Sequence, residues 1–515
     1  MKRSILALVG AVLLWAVPAL AGTTYFIDSV GGSDGNDGTS SGTAWQSLTP
    51  VQSALNSGVA AGSQFLFKKG DTWTWAGSCG VPMIQIPTGT QGTAGSPIVF
   101  GTYGSGAAPI FNGNSCASDG FRWEGHGTPG VAYITINGFE VDNCIYEGIY
   151  FHNYSNPTAC SELGAGIPGI LIENNMLNHN GPGAFPGATV GPNPANVGSF
   201  GPQYCCIAVG TTNGIDQCGH SYSGPAITAG PCDDSTTWRN GIMFSDEHGT
   251  VSGMCNTGVP DGVRILGNTV SNNGGHDAVV VQGDSGAPQV NNNTVFQGVH
   301  ELINFFTVVG AVANGNTVYT SNNSSNAMAA FLLESDGNSG DVTITNNVVY
   351  EAPGSTAPLA GVDCAGVDPT RTATCNVYNN TFYVPHGVGI QAPVANSTLN
   401  VQNNIIDSSS LLYCGSTFGS DPTFCPYINK WDYNNDGGVS GGAPSGLSWQ
   451  GAHDQSNVDP RYVSLPSRDF RLNAGSADIK AGIGGLPSNN NNIGYYAGPG
   501  VSTPNRHTDC DPDTN

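Results

Sequence analysis

Short runs in which apolar and polar residues alternate recur along this chain, each closed by Gly or Asn. Thr24-Tyr25-Phe26-Ile27-Asp28, Gln64-Phe65-Leu66-Phe67-Lys68, Pro97-Ile98-Val99-Phe100 and Tyr133-Ile134-Thr135-Ile136 come first, and alternation of period two predicts strands. From residue 174 onward the runs are introduced by a polar step and a β-branched or aromatic residue. It reads Asn174-Asn175-Met176, Gly267-Asn268-Thr269, Asn292-Asn293-Thr294, Gly315-Asn316-Thr317, Asn346-Asn347-Val348, Asn379-Asn380-Thr381 and Asn403-Asn404-Ile405. The second residues, at 268, 293, 316, 347, 380 and 404, are 25, 23, 31, 33 and 24 apart. A strand pattern with this period and no helical pattern predicts a solenoid.

Period two also sorts the faces. In the strands around 149–152, 242–245, 279–282, 302–306 and 330–334, it points Ile149, Phe151, Ile242, Phe244, Val279, Val281, Phe331 and Leu333 inward. Tyr150, His152, Ser245, Gln282, Asn304 and Glu334 then form an outward strip. The Asn steps read as structural: Asn tolerates the left-handed backbone of a corner, and stacked amides can bond from coil to coil. Pro50 to Asn56 reads as a short amphipathic helix capping one end, where a bare coil would expose an edge. Residues 181–240 break the rhythm with Gly, Pro and Cys and read as inserted loops.

Composition then places the chain. Lys2 and Arg3, the apolar run Ile5 to Val17 and Ala19-Leu20-Ala21 make a secretory signal over residues 1–21. The run is short for a membrane span and no second one follows, so a secreted, soluble and monomeric protein is expected. The resulting layout is a cap at 22–60, coils at 61–430, closing coils at 431–500 and a tail at 501–515. All 14 cysteines follow the signal, which suggests disulfides; Cys364 with Cys375 and Cys414 with Cys425 bracket loops of equal length. No CxxC pair is present to suggest zinc. The formal net charge of −23 argues against nucleic acid and against unassisted binding of a polyanion. With only 10% charged residues, the surface suits a neutral hydroxylated polymer.

The loops beside the strip concentrate titratable groups. His276-Asp277 and His300-Glu301 lie one coil apart, and Asp246, Glu247 and Glu334 follow neighbouring strands. Stacked carboxyls and imidazoles suit general acid–base chemistry, one acid staying protonated beside the charge of another. A histidine could instead act as the base of a lyase, with Ca²⁺ neutralising a uronate. Tyr150, His152, Gln282, Asn304, Arg239 and Arg264 are the expected substrate-binding set. Asp34, Asn36 and Asp37 share one oxygen-rich turn, a candidate Ca²⁺ site of structural kind.

Several segments carry a family likeness. Tyr25-Phe26-Ile27-Asp28 with Gly31 to Thr39 and Ala44-Trp45, then Phe65 to Trp73 and Gly95 to Gly106, resemble the start of secreted right-handed parallel β-helix proteins. Asp459-Pro460-Arg461-Tyr462-Val463, Asp469-Phe470-Arg471-Leu472, Gly475 to Ile479 and Asn492 to Tyr496 are similar to the terminal coil of surface-associated members of the pectate-lyase-like superfamily. The resemblance implies an all-β, right-handed parallel β-helix with an N-terminal cap and loop insertions. It implies a polysaccharide as substrate or ligand. Two functions remain open: cleavage of a polysaccharide, by hydrolysis or by lyase chemistry, in a groove on the outer face; or a non-catalytic glycan-binding or structural role.

Overall fold

The computed structural model describes residues 22–125, 130–153, 166–178, 180, 241–245, 262–271, 277–283, 286–296, 301–320, 329–334, 340–355, 358–365, 372–392, 397–414, 425, 427–436, 449–456, 458–484, 486 and 492–494, with short strand backbones inside 213–223 and 248–255. The chain winds into a parallel β-helix, with the right-handed crossover that parallel strands take. Twelve strands, from Thr24–Ile27 to Ile428–Asp432, pair in chain order as one continuous parallel sheet. Two further rows complete each coil and merge at the long strand Thr381–Ala392, which pairs with both Val348–Glu351 and Ala360–Ala365.

The lumen is packed. Ile149, Phe151, Ile242, Phe244, Val279, Val281, Phe331 and Leu333 are fully buried, as their alternation predicts. Early coils fill the lumen with rings: Phe65 stacks on Phe100 at 5.3 Å and Phe111 on Phe121 at 5.1 Å. Burying an aromatic side chain contributes on the order of 1.5–3 kcal/mol, so these coils anchor the N-terminal end. The capping helix runs Leu48–Asn56, two residues longer than the sequence suggests, because the Ser47 hydroxyl accepts from the Thr49 N–H and caps it. No described helix is long and apolar enough to cross a membrane.

The Asn steps divide two jobs that the sequence reading gave to one residue. The first residue of each step takes the left-handed turn: Asn174, Gly267, Asn292, Gly315, Asn346, Asn379 and Asn403 all have positive φ. The second is buried in a ladder. Asn268 Oδ1 accepts from the Asn175 N–H and Nδ2, Asn293 Oδ1 accepts from Asn268, and so on through Asn316, Asn347, Asn380, Asn404 and Asn434. The last rung is Asp454, whose Oδ1 accepts from the Asn434 N–H at 2.7 Å.

Both expected disulfides are formed, Cys364–Cys375 and Cys414–Cys425, together with Cys79–Cys116. The signal segment, most of the 181–240 loops and the tail lie outside the described residues.

Candidate functional site: a carboxyl cluster where the outer face opens

The outward strip exists in register, but most of it is not exposed. Arg122, Tyr150, Met243, Val280, Asn304, Leu332, Asp363, Gln391 and Tyr413 pair successively across nine coils. Of the expected strip, Tyr150, Ser245, Gln282 and Asn304 are buried, a correction to the open groove expected along its whole length. Tyr150, Met243 and Val280 form an apolar cluster of their own on this outer face, which explains the burial there. Downstream, Asp363, Gln391 and Tyr413 are half-exposed, and Glu334 is too.

Four carboxyls gather around this opening. Asp277 Oδ1 accepts the Glu301 N–H at 2.9 Å, and Oδ2 accepts the Asn304 amide at 2.9 Å. Glu301 Oε2 accepts the Ala329 N–H at 2.5 Å. Burial, and then the charges of Asp277, Asp363 and Glu334, push the Glu301 carboxyl well above its usual range. Asp363 sits outward on Ala360–Ala365, its Oδ2 accepting from the Gln391 amide. Its Oδ1 is shielded from solvent and has no partner. Desolvation raises its pKa to about 7, against the lowering effect of the Gln391 bond.

The backbone geometry here is tight. A Cβ on Gly361 would stand 2.5 Å from the Gly389 carbonyl oxygen, so only glycine lets these strands close beside Asp363. Glu334 faces Ala365, which makes it the diagonal neighbour of Asp363 on one face. Asp363 escaped the sequence reading; the available signal was its outward parity beside the inward Val362 and Cys364.

A second polar group lies upstream on the same face. Arg122 bonds Asp119 at 3.1 Å and Glu124, and its guanidinium lies 4.9 Å over the Tyr150 ring. Tyr150 Oη bonds His152 Nδ1 at 2.6 Å. Burial dominates the shift of the Tyr150 hydroxyl and pushes its pKa upward. Arg122 is neutralised by two carboxylates, so this group offers hydrogen bonds rather than net positive charge. Its alternating Phe121-Arg122-Trp123-Glu124 pattern was the missed signal.

The other expected residues fall elsewhere. Arg264 is exposed on Arg264–Leu266, a strand of the twelve-stranded sheet and so off this face. The parity that aligned the strip had no means of placing a strand from another row of the coil. His276, His300, Asp246, Glu247 and Arg239 lie outside the described residues. In the cap turn, Asp34 accepts from the Gln46 and Ser47 N–H groups and the Ser47 hydroxyl, and Asp37 from Thr39 and Thr43. Asn36 Nδ2 donates to the Ala44 carbonyl. These oxygens face hydrogen-bond donors, an arrangement that fits a capped turn better than a calcium cage. Among the described residues, no group of three or more His, Cys, Asp or Glu is arranged to hold a metal ion.

No family model matches the chain. An alignment of 148 positions, covering 25% of this chain and 9% of the other, is 28% identical to the lacto-N-biosidase of Bifidobacterium longum subsp. longum. Among solved structures, the pectate lyase Pel9A superposes with a TM-score of 0.45 at 13% identity, over 92% of this chain and 96% of that one. The alginate lyase from Paenibacillus sp. str. FPU-7 gives 0.41 at 13% identity, over 74% and 97%. The GH136 lacto-N-biosidase from Eubacterium ramulus gives 0.36 at 13% identity, over 73% and 65%. At these levels no residue role carries across, and the site stands on its own geometry.

Proposed function

We propose that the protein is a secreted glycoside hydrolase that cleaves a neutral polysaccharide where the outer face opens. The observation that carries this is the Asp363–Glu334 pair: two carboxyls on one face, one of them holding its proton up to about pH 7. An acid and a base on one face, flanking a water, is the arrangement that an inverting hydrolase uses. Asp363 gives its proton to the glycosidic oxygen as the bond to the anomeric carbon breaks. Glu334 takes a proton from the water that attacks that carbon from the opposite side. Glu301, held neutral by burial, keeps a further negative charge away from the pair.

Hydrolysis is favoured over elimination by what surrounds the pair. Strands Glu301–Phe306, Ala329–Glu334 and Ala360–Ala365 carry no Lys or Arg to neutralise a uronate. The net charge of −23 also repels a polyuronate. Disulfides at Cys79–Cys116, Cys364–Cys375 and Cys414–Cys425 are in keeping with an oxidising, extracellular compartment. The lacto-N-biosidase match over a quarter of the chain points the same way on substrate class.

The test is product release from a panel of neutral and uronate polysaccharides, reading reducing ends and unsaturated uronate in parallel. Reducing ends without unsaturation are expected, with Asp363→Asn and Glu334→Gln each lowering kcat by about 10²–10⁴-fold. Unsaturated products, or full activity in Asp363→Asn, would overturn the reading. A second reading, a glycan-binding or structural rod, is favoured by one observation: Asp277 and Glu301 already accept main-chain N–H groups. A folded protein silent across the panel would favour that role.

A further inference from the structure

The row of outward residues changes character at one point. Met243, Val280, Asn304 and Leu332 are buried, whereas Asp363, Gln391 and Tyr413, on the next three coils, are half-exposed. A chain bound at Asp363 therefore has room on the C-terminal side, and on the N-terminal side only beside the half-exposed Glu334 one coil back. Gln391 pairs directly with Asp363, and Tyr413 directly with Gln391, so consecutive side chains stand about 4.8 Å apart along the helix axis.

We propose that Gln391 and Tyr413 form the leaving-group side of the site. Gln391 is a positioning residue that fixes the Asp363 carboxyl, and Tyr413 is a platform for the sugar ring beyond the cleaved bond. This rests on the hydrolase reading and adds a direction: the polymer lies along the helix axis with its leaving end toward the C-terminal coils. The order of groups demands that direction. Glu334, which activates the water, is one coil before Asp363, and Tyr413 is two coils after it.

The local construction supports it. The Gln391 amide donates to Asp363 Oδ2 and so orients the carboxyl. Cys364 follows Asp363, and Cys414, which pairs with Ala392, follows Tyr413. Each cysteine closes an 11-residue span by a disulfide, so the strand ends bearing both side chains are cross-linked to their own coils. A rigid frame of this kind is what a precise site needs. A half-exposed tyrosine ring with no Lys or Arg on its strand suits the C–H face of an uncharged sugar.

The experiment has two arms whose deciding readouts do not depend on turnover. First, side-chain carboxyls of the full-length protein are titrated by ¹³C NMR in wild type, Asp363→Asn and Gln391→Leu. The signal missing in Asp363→Asn identifies Asp363. Removing a bond that lowers its pKa is expected to raise its midpoint by about one pH unit in Gln391→Leu. The alkaline limb of kcat/KM should move up with it. Second, affinity electrophoresis through gels containing xylan, galactan, mannan or β-glucan compares Asp363→Asn with Asp363→Asn/Tyr413→Ala. Retardation by one of these glycans is expected in the first and should weaken about tenfold in the second, while Tyr413→Phe keeps it. An unmoved Asp363 midpoint overturns the positioning role. Equal retardation without the ring, or none by any of the four glycans, overturns the platform. A shifted midpoint with ring-dependent retardation, in a wild type that cleaves nothing, leaves the pair standing and sinks the hydrolase reading instead.

Discussion

Two corners of this helix solve the same problem with different side chains. At the Asn corner, each buried amide accepts from the main-chain N–H of the preceding coil and donates to the next amide and to a carbonyl, as Asn347 does with Asn380 Oδ1 and Ala313 O. At the acidic corner, a buried carboxylate accepts from the N–H of the following coil: Asp119 from Glu147, Asp277 from Glu301, Glu301 from Ala329. The amide both donates and accepts, so its ladder is self-complementary and runs unbroken from Asn175 to Asn434. A carboxylate only accepts, so every rung adds charge, which is relieved by a cation, as Arg122 does for Asp119, or by a proton. The neutral ladder holds coils together. The acidic one also leaves Glu301 neutral among three other carboxyls, next to the opening where Asp363 and Glu334 stand.

The comparison breaks most visibly by exchanging the chemistry. Asn347→Asp keeps an acceptor for Asn316 but turns two donated bonds into two oxygens facing an anion. A loss of roughly 3–5 kcal/mol at pH 8 is expected, shrinking at pH 4.5 where the new carboxyl can hold a proton. Denaturant midpoints at the two pH values measure it. An equal loss at both would mean that the rung's donors matter and its charge does not.

The reverse exchange is milder. Glu301→Gln keeps an oxygen for the Ala329 N–H and cannot ionise. Because the folded-state pKa of Glu301 is raised, its ionisation opposes folding at high pH. The variant should therefore lie within about 1 kcal/mol of wild type at pH 4.5 and be the more stable of the two at pH 8. A less stable Glu301→Gln at pH 8 would show that the native group is ionised and useful there.

What the sequence made legible follows the same division. The Asn ladder repeats at fixed parity with a fixed neighbour, so Asn268, Asn293, Asn316, Asn347, Asn380 and Asn404 stand out along the chain. The inward residues are equally plain, because a packed lumen tolerates little else. The equal spans of Cys364–Cys375 and Cys414–Cys425 likewise gave their pairing. The site was half legible. Asp277, Glu301 and Glu334 announce themselves as acids beside strands, whereas Asp363 depends on a partner 28 residues on, reached after a register shift between Val384 and Val388. Burial of Gln282 and Asn304 was beyond parity too, since alternation says which way a side chain points and not what covers it.

The smallest expected effect separates the two ladders by pH alone. Burial raises Asp142 to about 8, Asp363, Asp436 and Asp478 to about 7, and Asp454 to about 6. An unfolded aspartate titrates near ~3.9, so between roughly pH 4 and 8 the folded chain binds more protons than the unfolded one. Their contribution is complete below the unfolded value and is lost as pH rises through 6 to 8. Asp28, Asp34 and Asp432 are lowered by their hydrogen bonds despite partial burial and act in the opposite sense, losing their contribution only in stronger acid. Melting temperature should thus decline steadily from pH 4.5 to 8.5. Asp363→Asn should flatten part of that slope above pH 6, because one of the protons is no longer released. Asn347→Ala should lower the whole curve without changing its slope, because Asn347 does not titrate and bonds only amides and a carbonyl, the titrating end rung Asp454 lying several coils away. A slope unchanged in Asp363→Asn would mean that Asp363 ionises as freely in the fold as outside it, and the outer face would then lack the acid its chemistry requires.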